Sequence, residues 1–157
     1  PYVGCGVLGS AVGMDKDVQK RLLNDAGLPV VACEVVTRLS WERDPAAVAE
    51  RVWRLGRQVF VKPANLGSSV GVSRVDHGGD LTAAIEAALS YDTKIVVERG
   101  VDAREIECAV LGNVKPRESV PGEIVPEAAF YSFEAKYSSV SQAKLLIPAP
   151  IPDPLAA

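Results

Sequence analysis

The sequence predicts an α+β fold, in which an antiparallel sheet carries helices packed on one face. Helical and β-branched segments alternate along the chain, as in a sheet that is covered by helices. Residues 60–75 contain two apolar runs joined by a short loop, and strands joined so directly pair antiparallel. With 157 residues, 48% of them hydrophobic, the chain can bury a core. These observations favour this fold over an all-parallel, doubly wound sheet.

A first helix is predicted to begin at Asp15 or Asp17 and to end at Gly27. Aspartate side chains accept hydrogen bonds from the free N–H groups of a first helical turn, and glycine favours the conformation that ends a helix. Its apolar face is predicted to comprise Val18, Leu22, Leu23 and Ala26. Upstream, "GCGVLG" formally matches G-x-G-x-x-G, but too few residues precede it to form a strand. We interpret it as a glycine-rich start of a packed helix.

Two further helices follow the same rules. Asp44 and Pro45 are typical of the N-cap and first position of a helix, and Asp80 caps another. The apolar stripes of these two helices are Val48, Val52 and Leu55, ended by Gly56, and then Leu81, Ile85 and Leu89. Strands are predicted at "LPVVACEVV", "VFV", "VGVSRV", "KIVVE" and "EIECAVL".

Composition excludes several classes of function. The 17 Lys and Arg residues against 20 Asp and Glu give a net charge of −3, which argues against nucleic acid as a partner. His77 is the only histidine and the cysteines form no C-x-x-C pair, so serine-histidine and zinc chemistry are disfavoured. No apolar run is long enough to span a membrane, so we expect a cytoplasmic protein. The start at Pro1 without methionine suggests a piece of a longer protein.

The stretch "FVKPANLGSSVGVSRV" is a candidate anion-binding loop. Lys62 ends an apolar strand, and Pro63 holds it extended. Gly67 to Gly71 then supply backbone N–H groups, hydroxyls and room for close approach. The loop is not a phosphate-binding Walker motif, because no G-K-[ST] occurs in it. Spacing alone leaves two interpretations open, a phosphate loop and an ordinary hairpin, and slightly favours the hairpin.

Two later stretches carry further candidates. In "IVVERGVDAREIECAV", Glu98 and Glu105 could accept hydrogen bonds from an amine or a ribose, with backbone near Val101 facing an apolar ring. The alternative for this stretch is a solvated hairpin with a surface ion pair. "YSFEAKYSS" places Lys136 and Tyr137 in a segment without periodicity, which is typical of a lid.

Five segments, in order, resemble the D-alanine-D-alanine ligases of the ATP-grasp superfamily: "MDKDVQKRLLNDAGLPV", "VFVKPANLGSSVGVSRV", "VVERGVDAREIECAVLGN", "VPGEIVP" and "FYSFEAKYSS". The resemblance implies an ATP-grasp fold, with residues 1–98 as the central subdomain and 99–157 as the truncated beginning of the C-terminal subdomain, including the lid. It implies an enzyme that uses ATP to join two D-alanines through a D-alanyl phosphate, for peptidoglycan precursor synthesis.

The resemblance also implies roles for individual residues. Catalytic contacts to the first D-alanine fall to Ser68 and Tyr137. The residues implied to contact the ATP phosphates are Lys16, Lys62 and Lys136, and Gly67 and Ser69 belong to the loop that closes over them. The residues implied to surround the adenine are Glu98, Arg99 and Val101, and Glu105 is implied to bind the ribose. For Arg99 the contact could come from backbone atoms alone.

Other implications concern what accompanies this chain. Mg²⁺ is expected with ATP, but its ligands are expected C-terminal to residue 157, and a homodimer is expected for the full-length protein. The chain alone is therefore expected to be inactive. The alternatives are another ATP-grasp ligase, such as a D-alanine-D-lactate ligase, and a non-catalytic nucleotide-binding fragment. Tyr137 favours the dipeptide ligase over the lactate ligase.

Overall fold

The computed structural model describes residues 3–125 and 143–152. The chain divides into two compact units, Pro1–Val101 and Asp102–Ala157. In the described residues, no helix is long and apolar enough to cross a membrane.

Unit 1 contains a four-stranded antiparallel sheet in the order β1-β4-β2-β3. Its strands are β1 Cys33–Thr37, β2 Gln58–Pro63, β3 Ser73–Asp76 and β4 Lys94–Arg99. Its helices are α1 Val7–Met14, α2 Lys16–Asp25, α3 Arg38–Arg43, α4 Pro45–Trp53 and α5 Leu81–Tyr91. β2 and β3 pair antiparallel, with Val61 opposite Ser73, which confirms the pairing predicted for residues 60–75.

The core of unit 1 lies on one face of this sheet. Alternate residues of β2 and β4 are buried there, because successive side chains of a strand point to opposite faces. Helices α4 and α5 cover this face together with Trp41 of α3. The fully buried side chains of this core include Val36, Val48, Val52, Val59, Val61, Ile85, Ile95 and Val97. The predicted apolar stripes of α4 and α5 are confirmed.

The predicted helix caps are also confirmed. The side chains of Asp15, Asp44 and Asp80 accept hydrogen bonds from backbone N–H groups in the first turns of α2, α4 and α5. Each cap satisfies a donor that the helix itself cannot. Helix α3 was not predicted, and its start is fixed by a reciprocal pair of hydrogen bonds between Thr37 and Ser40.

The prediction of an apolar packing face on α2 was wrong. Val18 and Leu22 are 38% and 50% exposed, and the buried residue of this helix is Asp17. The reason is that α2 contacts the sheet through charged side chains, as described below. The interpretation of "GCGVLG" as the start of a packed helix was also wrong in part, since α1 begins within it at Val7 but has no buried residue among those that the structure describes.

Unit 2 contains short antiparallel strands. A three-stranded sheet has the order β5-β8-β9, with β5 Glu105–Glu107, β8 Gly122–Val125 and β9 Lys144–Leu146. A separate pair joins β6 Val110–Leu111 to β7 Arg117–Glu118. The single strand predicted at residues 105–111 is thus two strands that pair with different partners. Arg104 donates two hydrogen bonds of 2.7 Å to the carboxylate of Glu123, which is 7% exposed.

Candidate functional site

A cluster of charges lies on the face of the unit 1 sheet opposite the core. Phe60 is opposite Glu98 in the β2–β4 pair, and Lys62 is opposite Val96. Lys62 Nζ lies 2.5 Å from Glu98 Oε2 and 5.9 Å from the centre of the Phe60 ring. Lys20 of α2 reaches the same carboxylate, with its Nζ 3.0 Å from Glu98 Oε1. The structure therefore brings the predicted residues Lys62 and Glu98 together, and Lys20 is a third member of the cluster.

The electrostatics of this cluster keep Glu98 ionised. Its side chain is 13% exposed. Burial opposes ionisation, but the ammonium groups of Lys62 and Lys20 outweigh it and lower the pKa of Glu98. The partly buried carboxylate of Glu98 is therefore the counter-ion of both Lys62 and Lys20 on this face of the sheet.

Lys16 lies at the start of the loop that links β2 to β3. It is the first residue of α2, and its backbone N–H donates to Ala64 O at 3.0 Å. Its Nζ donates to Pro63 O at 3.2 Å, to Ala64 O at 3.3 Å and to Leu66 O. Burial lowers the pKa of Lys16, and the neighbouring charge of Lys62 lowers it further. Two ammonium groups are thus positioned at the same end of β2.

The loop between β2 and β3 is a sequence of tight turns. The φ angles of Ser68, Ser69 and Gly71 are 52°, 60° and 68°. In this region of positive φ the backbone of residues other than glycine is strained. At Gly71, a Cβ atom would lie 2.8 Å from both Pro63 Cγ and Tyr91 Cδ2, so this position requires glycine. At Gly67 nothing lies within 4 Å of such an atom. The loop is anchored at Gly71, while Gly67 and Ser68 are exposed.

The start of the loop and the start of α2 are held to the sheet by Lys94. Its Nζ lies 2.7 Å from Asp15 Oδ2 and 3.1 Å from Asp17 Oδ2. Its carbonyl accepts the N–H of Ala64 at 3.0 Å. Because Lys16 follows Asp15 directly, Lys94 fixes the place from which the Lys16 side chain extends.

Arg99 and Val101 follow Glu98 but differ from it in placement. The side chain of Arg99 points to the opposite face of β4 from that of Glu98, because successive side chains of a strand alternate. It lies beside Gly56, where an added Cβ atom would be 3.3 Å from Arg99 Cγ. Its side chain is therefore not in the charge cluster. Val101 is 45% exposed at the end of unit 1.

The remaining predicted residues belong to unit 2 or lie outside the described residues. Glu105 opens β5, where it pairs with Ile124, and its side chain is exposed. Lys136 and Tyr137 lie outside the described residues.

Sequence reasoning missed Lys20 and Lys94. Lys20 follows Lys16 by four positions, so both lie on one face of α2, and this spacing could have drawn attention to it. Lys94 carried no such signal, because its partners Asp15 and Asp17 are contributed by a distant helix.

Comparison with known proteins identifies the family. The family described as "D-ala D-ala ligase C-terminus" matches residues 22–157. The chain belongs to this family. It is 50% identical over 153 residues to a D-alanine--D-alanine ligase of Thermoanaerobacter sp. (strain X514), covering 98% of this chain and 42% of that relative. It is 54% identical over 154 residues to a D-alanine--D-alanine ligase A of Chromobacterium violaceum, covering 98% and 41%.

Solved structures of the family have the same fold. The D-alanyl-alanine synthetase A of Vibrio cholerae matches with a TM-score of 0.81 and 32% identity, over 99% of this chain and 47% of that one. The VanG D-Ala:D-Ser ligase of Enterococcus faecalis matches with a TM-score of 0.83 and 32% identity, over 99% and 44%. The predicted ATP-grasp α+β fold is confirmed. The chain spans about two fifths of the length of the curated relatives it matches.

Proposed function

We propose that this chain is the nucleotide-binding part of an ATP-dependent ligase that joins two D-alanines for peptidoglycan precursor synthesis. The observation that carries the proposal is the convergence of Lys16 and Lys62 at one end of β2, beside a tight Gly-Ser loop. Two lysines with backbone donors around them suit the phosphates of ATP. Membership of the family supplies the reaction to which this site is assigned.

In this proposal Lys16 and Lys62 hold the ATP phosphates, while Gly67 and Ser69 close over them. The half-buried Phe60 shares the face of the sheet with Lys62 and offers the adenine an apolar surface. Glu98, the backbone of Arg99, and Val101 line the adenine, and Glu105 holds the ribose. Ser68 and Tyr137 hold the first D-alanine, and Lys136 reaches the phosphates from the lid.

The chemistry explains why such residues are needed. Phosphoryl transfer to a D-alanine carboxylate gives a D-alanyl phosphate, which the amine of the second D-alanine attacks. Cations that meet the phosphate oxygens stabilise the charge that develops. A loop that closes excludes water while the acyl phosphate exists. The exposed Gly67 and Ser68, anchored through Gly71, suit a loop with this task.

We also propose Mg²⁺ as the ion that accompanies ATP, since it bridges phosphate oxygens in phosphoryl transfer. Among residues 3–125 and 143–152, no group of three or more His, Cys, Asp or Glu side chains could hold a metal. We also propose that the protein is cytoplasmic, that it contributes to cell shape and that the full-length protein is a homodimer. The chain is proposed to divide into subdomains 1–98 and 99–157.

Nucleotide binding is tested by replacing Lys62. Titration calorimetry of the 157-residue chain with a non-hydrolysable ATP analogue and Mg²⁺ should show binding, and Lys62→Met should weaken it by about tenfold or more. Arg54→Met is the matched control, because it removes the same charge from an exposed pair with Glu50. Equal affinities for Lys62→Met and the unmodified chain would overturn the role of Lys62.

The reaction is tested in a chimera in which residues 1–157 replace the matching segment of the Chromobacterium violaceum relative. Phosphate release should require ATP and D-alanine. Because one matching structure is a D-Ala:D-Ser ligase, D-serine and D-lactate are offered as second substrates beside D-alanine. We expect D-alanine to be preferred, and faster release with either of the other two would overturn the dipeptide assignment.

A further inference from the structure

The carboxylate of Glu98 is divided between two lysines from different elements. Oε2 pairs with Lys62 of β2 at 2.5 Å, and Oε1 pairs with Lys20 of α2 at 3.0 Å. The side chains are 26% exposed for Lys62, 16% for Lys20 and 13% for Glu98. Lys62 is thus the more accessible of the two cations, and Lys20 is the more enclosed.

This arrangement matters because the proposed function gives Lys62 a second anion to bind. A phosphate at Lys62 would lie close to the Glu98 carboxylate, and like charges repel strongly in a partly buried site. Were Lys62 the only partner of Glu98, turning its ammonium toward phosphate would leave a buried carboxylate without a counter-ion, which is costly.

We propose that Lys20 is a positioning residue that holds Glu98 through its second oxygen and so frees Lys62 for the nucleotide phosphate. The inference rests on the proposed function, because it assigns phosphate to Lys62. Lys20 itself does not touch the nucleotide in this proposal. Its effect on the nucleotide is exerted through the carboxylate of Glu98, while its Nζ also donates to Val31 O at 3.4 Å.

The other charged or titratable groups near Glu98 are less suited to this task. Lys16 donates to the carbonyls of residues 63, 64 and 66, at the start of the loop. Cys33 is opposite Glu98 in the β1–β4 pair, and burial raises the pKa of its thiol. The thiol is therefore neutral near neutral pH and offers no positive charge to the carboxylate.

The test is a double-mutant cycle on the 157-residue chain, with affinity for the non-hydrolysable ATP analogue and Mg²⁺ as the readout. Lys20→Met should weaken binding about tenfold, because Glu98 then retains Lys62. Lys20→Arg keeps the cation and should stay within about threefold of the unmodified chain. In a Glu98→Gln background, Lys20→Met should change affinity by less than about twofold, since no carboxylate remains to be held.

The outcomes separate this inference from the proposed function. Absence of nucleotide binding by the unmodified chain would refute both. Binding that Lys20→Met weakens equally in both backgrounds would mean that Lys20 contacts the nucleotide itself, and would overturn the inference alone. No loss in Lys20→Met would overturn it as well.

A second readout needs no nucleotide. Carbon-13 NMR titration of the Glu98 carboxyl, identified by its absence in Glu98→Gln, should show a higher pKa in Lys20→Met than in the unmodified chain. An unchanged pKa would contradict the shared carboxylate. Lys20→Gln, which is neutral but can still donate a hydrogen bond, is made alongside so that the comparison survives if Lys20→Met fails to fold.

Discussion

Replacing Lys94 by methionine tests whether charge holds α2 to the sheet. Lys94 Nζ contacts Asp15 Oδ2 at 2.7 Å and Asp17 Oδ2 at 3.1 Å, with exposed side-chain fractions of 24%, 20% and 10% for the three residues. Methionine keeps most of the aliphatic stem and removes the ammonium group. The substitution therefore isolates the contribution of charge to the free energy of unfolding of unit 1.

The magnitude follows from the burial of these contacts. A hydrogen bond to a charged group contributes about 1.5–3 kcal/mol, whereas an exposed ion pair contributes about 0.2–1 kcal/mol. The two contacts of Lys94 lie between these cases, and both carboxylates keep other partners in the first turns of α2. We expect about 1 kcal/mol for each contact, and a loss of about 2 kcal/mol for Lys94→Met.

The loss should depend on pH. Burial opposes ionisation of Asp15 and Asp17, but hydrogen bonds outweigh it and lower the pKa of both below the ordinary value of 3.8. The main donor is Lys94 at Asp15, and Arg21 followed by Lys94 at Asp17. A carboxyl with a lowered pKa stabilises the fold above its unfolded pKa, and this stabilisation is lost as pH falls through the folded pKa. The difference between variant and unmodified chain should thus be full at about pH 7 and smaller at about pH 3.

The assay is urea unfolding followed by tryptophan fluorescence. The chain has two tryptophans, Trp41 and Trp53, and both belong to unit 1, so the signal reports on that unit. Arg54→Met, which breaks an exposed pair with Glu50, should cost less than about 0.5 kcal/mol. Equal losses in the two variants, or a loss for Lys94→Met that does not change with pH, would refute the reasoning.

Two further predictions concern the loop and unit 2. Gly71→Ala should destabilise unit 1 by about 2 kcal/mol or more in the same urea assay, because its φ is positive and its Cβ would clash, whereas Gly67→Ala should cost less than about 1 kcal/mol. Similar losses of stability in the two variants would contradict the requirement for glycine at position 71. Arg104→Met should speed hydrogen exchange of the β5–β8 amides about tenfold or more, because it leaves the buried Glu123 without its bidentate partner, while Lys115→Met should not. Unchanged exchange in Arg104→Met would show that this pair does not hold the sheet.

The parts of the fold that could be predicted from sequence are those set by local rules. Asp44 and Asp80 cap their helices because a side chain meets backbone N–H groups three residues on, which is visible in the sequence. The antiparallel pair at residues 60–75 follows from the short link between its strands. The sequence predicts both Lys62 and Glu98 as site residues, and their pairing requires only that β2 and β4 be neighbours in the sheet.

What could not be predicted depends on contacts between distant segments. The apolar residues of α2 indicated a packing face, yet Val18 and Leu22 are exposed and Asp17 is buried. Periodicity measures only how apolar side chains are spaced, and it does not reveal that a strand elsewhere carries a complementary charge. These complementary charges are Lys94 and Glu98 of β4, which pair with Asp17 and Lys20 of α2. The roles of Glu105, Lys136 and Tyr137 stay predictions, as do those of the unit 1 residues.

The charges of α2 explain why the helix can serve the site without an apolar contact face. Asp15 and Asp17 bind Lys94, which fixes the start of the helix. Lys16 then reaches the carbonyls at the start of the loop, and Lys20, one turn later, reaches Glu98. A helix held by apolar packing would place its lysines on the opposite, solvated face. Holding it by ion pairs instead directs Lys16 to the end of β2, where the proposal puts the phosphates, and Lys20 to Glu98.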